Sequence, residues 1–586
     1  MEFFVDEPEP YIPDHLTLPQ FMWDTSAVAR PHRGPEIPYF IEEATGRKIF
    51  EEEASPSATY ALAKALRLKW DIGKDAVVCV FSPNDVDYAV LIWAIHLLGA
   101  IVTPGNPFYT AEELAHQIKL TKASLVIAHP VCQETVFKVV KENVIPESRV
   151  VILRDPIFDH IPTLSSLMSL GDSSKEVFEE RRLSKGEARK ALAFLSLSSG
   201  TTGIYFLDSP TTVLIHCSSE GPPKAVAITH FAVLANLLQM SAHCRINDSS
   251  WPNKLISLGD VGLGVLPFFH IYGLVVLLHF QLFCGASILV VPKFDFRRFL
   301  QNIDKYRVSI LLLVPPQIVL LCKQEAVKKY DFSHVKLCMS GAAPLSGELC
   351  ASLKQIFPNA TIGQSYGLTE TVATVSFLRP DTKDIPVGSC GRLAPGIRAR
   401  VIKPDGTMAG EGEEGELLVT GPAMALGYLD NEAATNQTFV DSWVHTGDVV
   451  IIRNNEVYVV DRVKEVLKVK GFQVTPAELE GHLLLHSDIV DSCVVGIKDD
   501  YSGELPFAYV VLRPTSAERI KGNPAAAQEL KKLIFKHVAD SKVRYKWLTG
   551  GIEFLDAIPK NPTGKILRRV LREKARSLPT PAKTKL

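Results

Sequence analysis

From Asp75 onward the chain alternates short apolar runs with longer amphipathic stretches, and this alternation narrows the possible folds more than any other feature. "AVVCVF" (76–81) reads as a buried strand, followed by Ser82, Pro83 and Asn84 as turn and cap. "DVDYAVLIWAIHLL" (85–98) carries apolar residues at helical spacing and stops at Gly99. "AIVTP" is the next strand, Thr110 and Glu113 in "TAEEL" fit a capping box, and "SLVIAH" is a strand again. "SILVVP", "VSILLLVPP", "VKLCMSGAAPL" and "ATIGQSYGLTE" continue the pattern to about residue 375. Strands that alternate with helices in this way belong in a largely parallel sheet covered on both faces. "LVVLLHFQLFCGASILVV" (274–291) could imitate a membrane span, but His279, Gln281 and Gly285 divide it into a buried helix and a buried strand.

After residue 375 the texture changes. "VGSCGRLAPGIRARVIKPDG", "GEEGELLVTGP" and "NNEVYVVDR" are short strands separated by glycine-rich, Asp-Gly and Asn-Asn turns, which predicts a β-rich subdomain over about 376–460. Beyond Asp461, "AELEGHLLLH" reads as a helix, "IVDSCVVGIKD" and "PFAYVVLRP" as strands, and "AAAQELKKLIFKHVADS" as an amphipathic helix. The expected fold is therefore α/β: a large N-terminal domain of layered α/β subdomains plus the β-rich subdomain (1–464), a small α+β domain (465–575) and a tail (576–586).

The charge balance excludes one broad class. Lys plus Arg number 63 and Asp plus Glu 65, a formal net charge of -2, without the basic excess of a general nucleic-acid binder. The ten cysteines form no Cys-x-x-Cys pair and no zinc-spaced cluster, so they read as buried free thiols of a reducing compartment. "MEFFVDEPEP" is too acidic for a secretory signal. An enzyme acting on small molecules fits these bounds best.

"SSGTTG" (198–203) follows the apolar strand "ALAFLSL". Its glycines let backbone N–H groups approach an anion and its hydroxyls add donors, although the Gly-Lys-Ser/Thr ending of a Walker loop is missing. In order after it come "PFFHIYG", "SGAAPL", "GQSYGLTE", "GELLVTGP", "WVHTGDV", "DRVKEVLKVKGFQVTPAELE" and "IPKNPTGKILRR". Together these motifs resemble the adenylate-forming superfamily of acyl- and aryl-CoA synthetases, luciferases and peptide-synthetase adenylation domains. The branch most resembled is that of the 4-coumarate:CoA ligase-like enzymes, over roughly residues 40–575.

The resemblance implies a role for each matching position. Ser198, Ser199, Gly200, Thr201, Thr202, Gly203 and Lys224 would hold ATP phosphate; Gln364, Tyr366, Gly367 and Thr369 would line the nucleotide site, with Tyr366 under the adenine. Glu370 would help to hold Mg²⁺, and Asp448, lying after a strand-like "SWVHTG", would take the ribose hydroxyls together with Arg462. His270 would orient the substrate carboxylate, in an apolar slot formed with Phe269, Tyr272, Gly273, Gly341, Ala342, Gly363, Ala373 and Thr374. Lys565 would bridge carboxylate and α-phosphate during adenylation. Lys468 and Gln473, with Lys470, Gly471 and Phe472 on the CoA side, would serve thioester formation after the small domain turns about Lys464. The implied activity is ATP-dependent ligation of a small carboxylic acid to coenzyme A. A cinnamic-type, benzoic-type or medium-chain acid all fit, and two alternatives stay open: a non-catalytic nucleotide-binding relative and a luciferase-like oxygenase.

One departure stands out. Related sequences run from Ser-Ser-Gly-Thr-Thr-Gly through one residue to Pro-Lys, whereas here residues 204–221 intervene, 18 in number. Removing them gives "SSGTTGPPKAVAITH", with Ala225 where the family usually has glycine. A short intron retained in frame would produce this, and so would a genuine surface insertion; the former is the preferred reading, with an irregular loop expected to project from the sheet. The final Thr584-Lys585-Leu586 resembles a peroxisomal Ser-Lys-Leu address with threonine for serine, against a cytoplasmic default.

Overall fold

The computed structural model describes residues 1–576 apart from 25, 52, 54, 55, 155–157, 159, 199–222, 249, 252, 253, 344, 346, 379–385, 463, 464, 471, 500, 501 and 561–564. The 204–221 segment, Lys464 and the C-terminal tripeptide thus lie outside the described residues.

Two seven-stranded sheets form the large domain. The first runs Gly427–Tyr428, Ala225–Thr229, Leu192–Leu197, Ile101–Gly105, Val77–Phe81, Leu125–Ala128, Val150–Ile152. It is parallel from Leu192–Leu197 to its far edge, and the Ala225–Thr229 and Gly427–Tyr428 strands are added antiparallel. The second runs Thr361–Gln364, Leu337–Ser340, Ile310–Leu313, Val261–Gly264, Ser287–Val290, Phe40–Glu42, Lys48–Ile49, parallel except for its last pair.

Strand alternation shows how the sheets are layered. Val78 and Val80 enter one core while Val77, Cys79 and Phe81 enter another; in the second sheet Ile310 and Leu312 join the same core as Val78, and Leu311 and Leu313 face away. The shared core is filled by helices buried on every side. All ten residues of Tyr88–Leu97 are buried, as is nearly all of His230–His243. A helix with no polar face needs a partner on each side, and here it lies between two sheets. The stretch read as helix then strand is so: Tyr272–Phe280 is wound as a π-helix, Gln281–Phe283 completes it, and Ser287–Val290 is a strand.

The β-rich subdomain is an eight-stranded antiparallel sheet, and two details correct the sequence reading. Its edge strand is Glu2–Phe3, paired with Arg398–Ile402 and held by ion pairs from Glu2 to Arg398 and Arg400. The strand expected to end before Asp448 runs on as Trp443–Arg453. The small domain is a five-stranded sheet whose faces carry separate cores. Helix Pro524–Ser541 buries Leu530, Ile534 and Val538 on one face, while Leu571 and Ala575 pack on the other.

Candidate functional site

Asp448 lies opposite Arg462 in the antiparallel pair Trp443–Arg453 and Glu456–Arg462. The register therefore sets an acid beside a base, Arg462 Nε standing 3.4 Å from Asp448 Oδ1. Asp448 Oδ2 accepts a 2.7 Å hydrogen bond from the Tyr366 hydroxyl. Burial raises the Asp448 carboxyl above its usual range, and Arg462, the Tyr366 hydrogen bond and the Lys565 ammonium pull it back. Burial, and then Asp448, keep the Tyr366 phenol protonated. Tyr366 thus combines the ring expected beneath adenine with a hydroxyl that fixes the carboxylate assigned to ribose.

The loop from Tyr366 to Thr374 is closed on itself. A side chain at Gly367 would place its Cβ 1.3 Å from the Ala373 carbonyl oxygen, so only glycine permits the approach. Val372 (φ 53°) and Ala373 (φ 89°) adopt left-handed backbone that non-glycine residues rarely take, as does Ala342 (φ 70°). Gln364 and Thr374 point elsewhere than expected. The Gln364 amide oxygen accepts from Leu345 N at 2.6 Å, while the Thr374 hydroxyl donates to Met240 Sδ in the core.

The position of His270 depends on Asn84, which the sequence alone assigns to a turn and cap. The Asn84 side chain instead crosses to the second sheet, donating to Gly264 O (2.9 Å) and Leu266 O (2.8 Å) and accepting from Phe268 N (2.7 Å). It satisfies three backbone groups of the turn that carries Phe269 and His270. His270 is depressed to about 4 by burial and then by the Lys565 ammonium, so it is neutral at physiological pH. Tyr272 covers Gly341, where a Cβ would come 2.7 Å from the ring, and a Cβ on Gly273 would meet Pro267 O at 2.0 Å. Gly363 lies in the strand beside Met339.

On the phosphate side, Ser198 N donates to Lys224 O at 2.9 Å and closes the hairpin between Leu192–Leu197 and Ala225–Thr229. Ser199 to Gly203 lie outside the described residues. Lys224 Nζ sits 4.7 Å over the Tyr428 ring, and the Tyr428 hydroxyl donates to Glu370 Oε1 at 2.8 Å. Tyr428 thus links Lys224 to the carboxylate expected to hold a metal, Glu370, whose chain neighbour Thr369 is half-buried. Sequence reading missed it: "ALGYLD" has no local signal beyond its glycine, and its contacts are far off in the chain.

Lys565 is the small-domain lysine whose charge is felt at both His270 and Asp448. Its segment is anchored by Arg568, which binds Glu465 (2.8 Å), Glu480 (2.7 Å) and Val494 O (3.2 Å). Lys468 and Gln473 are direct cross-strand partners in a hairpin where Lys468, Lys470 and Phe472 are exposed, Phe472 stacking on Tyr545. Gly471 is outside the described residues. Among the described residues, His270, Tyr366, Asp448, Arg462 and Lys565, expected to serve adenylation, come together, and the hairpin expected on the CoA side lies at the surface.

The AMP-binding enzyme family model matches residues 57–204 and 212–429, and the AMP-binding enzyme C-terminal domain matches 478–565. The match to the first breaks within the anomalous segment. A 4-coumarate-CoA ligase of Narcissus pseudonarcissus is 34% identical over 572 residues, 96% of this chain and 95% of the relative. One from Oryza sativa subsp. japonica is 33% identical over 578 residues, 97% and 94% of the two chains. Among solved structures, the anthranilate CoA ligase AuaEII in complex with anthranoyl-AMP superposes with a TM-score of 0.80 at 21% identity, covering 96% of this chain and 98% of that one. ATP-bound MatB from Rhodopseudomonas palustris gives 0.77 at 24%, covering 96% and 99%.

Proposed function

The chain belongs to the AMP-binding enzyme family, and from that membership we propose that it is an ATP-dependent acid:CoA ligase working in two steps through an acyl-adenylate. A substrate carboxylate oxygen attacks the α-phosphorus of ATP and pyrophosphate leaves. The thiolate of coenzyme A then attacks the acyl carbon and AMP leaves. The observation that carries this reading is Lys565, a cation from the small domain acting on both the His270 side and the Asp448 side of one site. A fixed ammonium there opposes the negative charge that grows at the α-phosphate. His270, neutral, would orient the carboxylate by N–H donation without competing with Lys565 for it. Tyr366, Asp448 and Arg462 would hold the nucleoside.

Magnesium fits Glu370 in one way. Among the described residues no group of three or more His, Cys, Asp or Glu side chains could enclose a metal ion. A cation at Glu370 would therefore complete its shell with phosphate oxygens and water, as magnesium does in nucleotide sites. When bound it would neutralise phosphate charge. For the second step the small domain would turn about Lys464 and bring Lys468 and Gln473 to the site.

The slot around Tyr272, Gly341 and Ala373, with the coumarate ligases among its relatives, favours an aromatic acid of the cinnamic or benzoic type over a medium-chain one. The 18-residue interruption of the phosphate loop favours a second reading, a non-catalytic nucleotide-binding relative. Release of AMP from a panel of acids, with and without CoA, decides. CoA-dependent AMP release supports the ligase, AMP release that needs oxygen instead supports a luciferase-like oxygenase, and none with any acid supports the non-catalytic reading. No helix among the described residues is long and apolar enough to cross a membrane; a cytoplasmic or, through Thr-Lys-Leu, peroxisomal site is proposed.

A further inference from the structure

Lys323 ends the large-domain helix Pro315–Lys323, away from the residues assigned to chemistry. Its ammonium donates across the domain boundary to the carbonyl oxygens of Leu484, at 3.0 Å, and of Ile489. Leu484 is the C-cap of the small-domain helix Pro476–Leu483. The last carbonyls of a helix have no partner within it and carry the negative end of its dipole, so a cation placed there is favourably held. Burial at this boundary, and then Arg513, bring the Lys323 pKa down to about 8, with Asp491 opposing. A surface lysine in water would not be desolvated in this way.

The same small-domain helix is tied at two further points. Ala477 N, at its start, faces Asp461 Oδ2 of the large domain at 3.4 Å. Glu480, in its middle, binds Arg568, three residues beyond Lys565. A rigid helix fixed to the large domain at both ends, and to the Lys565 segment at its centre, transmits the position of its ends to Lys565.

We propose that Lys323 is a positioning residue for adenylation, an ammonium that caps the small-domain helix Pro476–Leu483 from the large domain and thereby holds Lys565 at the site. The inference rests on the two-step reading above. Its consequence is asymmetric. The contact exists in the orientation that presents Lys565 and must break before Lys468 can be presented instead, so losing it lowers the population competent for adenylation and leaves thioester formation unhindered.

The test uses the full chain with Lys323→Met, which keeps length and removes charge, and Lys323→Arg, which keeps charge. Acid-dependent pyrophosphate exchange should fall about tenfold in the Met variant, the scale of a lost charged hydrogen bond. Thioester formation from preformed acyl-adenylate should be unchanged or faster, and Arg should restore most of the exchange. Equal slowing of both steps, or unchanged exchange, overturns the proposal. A parent chain that exchanges with no acid refutes the ligase reading instead. In that case hydrogen exchange over residues 484–492 decides: faster exchange in the Met variant than in the parent supports the cap, and unchanged exchange overturns it.

Discussion

Deleting residues 204–221 separates the effect of that segment on the fold from its effect on chemistry. The connection from Ser198 to Lys224 contains 25 residues and would contain 7 after deletion. Its ends are already joined: Leu197 pairs with Ala225, Ser198 N donates to Lys224 O at 2.9 Å, and Gly427–Tyr428 flanks the hairpin on its other side. Closing a chain of 25 residues rather than 7 costs about 1 kcal/mol more, since the entropy grows only as (3/2)RT ln n. Spread over the melting entropy of a domain of this size, that is about 1 °C in midpoint. Chemistry has far more at stake. In the proposed ligase, Lys224 and the hydroxyls of Thr201 and Thr202 would have to meet phosphate oxygens together, and loss of one such donor in an active site costs about 10²–10³ in rate. The shortened chain should therefore melt within a degree or two of its parent and exchange pyrophosphate at least about a hundredfold faster. Scanning calorimetry and exchange with radiolabelled pyrophosphate, on an acid that both forms bind, read the two quantities. Equal exchange in the two forms would refute the reasoning and make the segment a tolerated decoration.

Lys565→Ala should abolish pyrophosphate exchange while ATP still raises the melting point, and Lys468→Ala should spare exchange but slow thioester formation from preformed adenylate; loss of both steps in both variants would show the two faces misassigned. Gly367→Ala should cost most nucleotide binding by calorimetric titration, because its Cβ would meet a backbone oxygen that no side-chain rotation can clear; unchanged affinity would show that the 366–374 loop is free to open. Burial holds His230 to about 3, His279 to about 4 and His96 well below its usual value, so all three are neutral when folded and titrate near 6.5 when unfolded. Between those values the unfolded chain binds more protons. The stability is complete above pH 6.5 and falls below it, by about 1.4 kcal/mol per pH unit for each histidine. Urea midpoints measured from pH 7 to 5 should decline accordingly, and a flat profile would contradict the burial.

What the sequence alone determined is what short-range periodicity and local chemistry can carry. Apolar runs such as 76–81 and 308–316 define strands, the Thr110–Glu113 capping box closes within four residues, and the apolar spacing of 85–98 up to Gly99 announces a helix, though not that it is buried on every side. The expected site came from the order of its motifs: the family resemblance assigns roles to Tyr366, Asp448, Arg462 and Lys565, where physical reading of each alone would have left an ordinary surface or turn residue. Contacts between distant residues stayed hidden. Asn84 serves a turn 180 residues away, Glu2 is added to a sheet that begins near residue 376, Tyr428 joins Lys224 to Glu370, and Lys323 caps a helix in another domain. None of these has a period or spacing to read, because each depends on where two separately formed elements meet. Tertiary packing alone brings those surfaces together, and it also brings Lys565, far along the chain from His270, within reach of its charge.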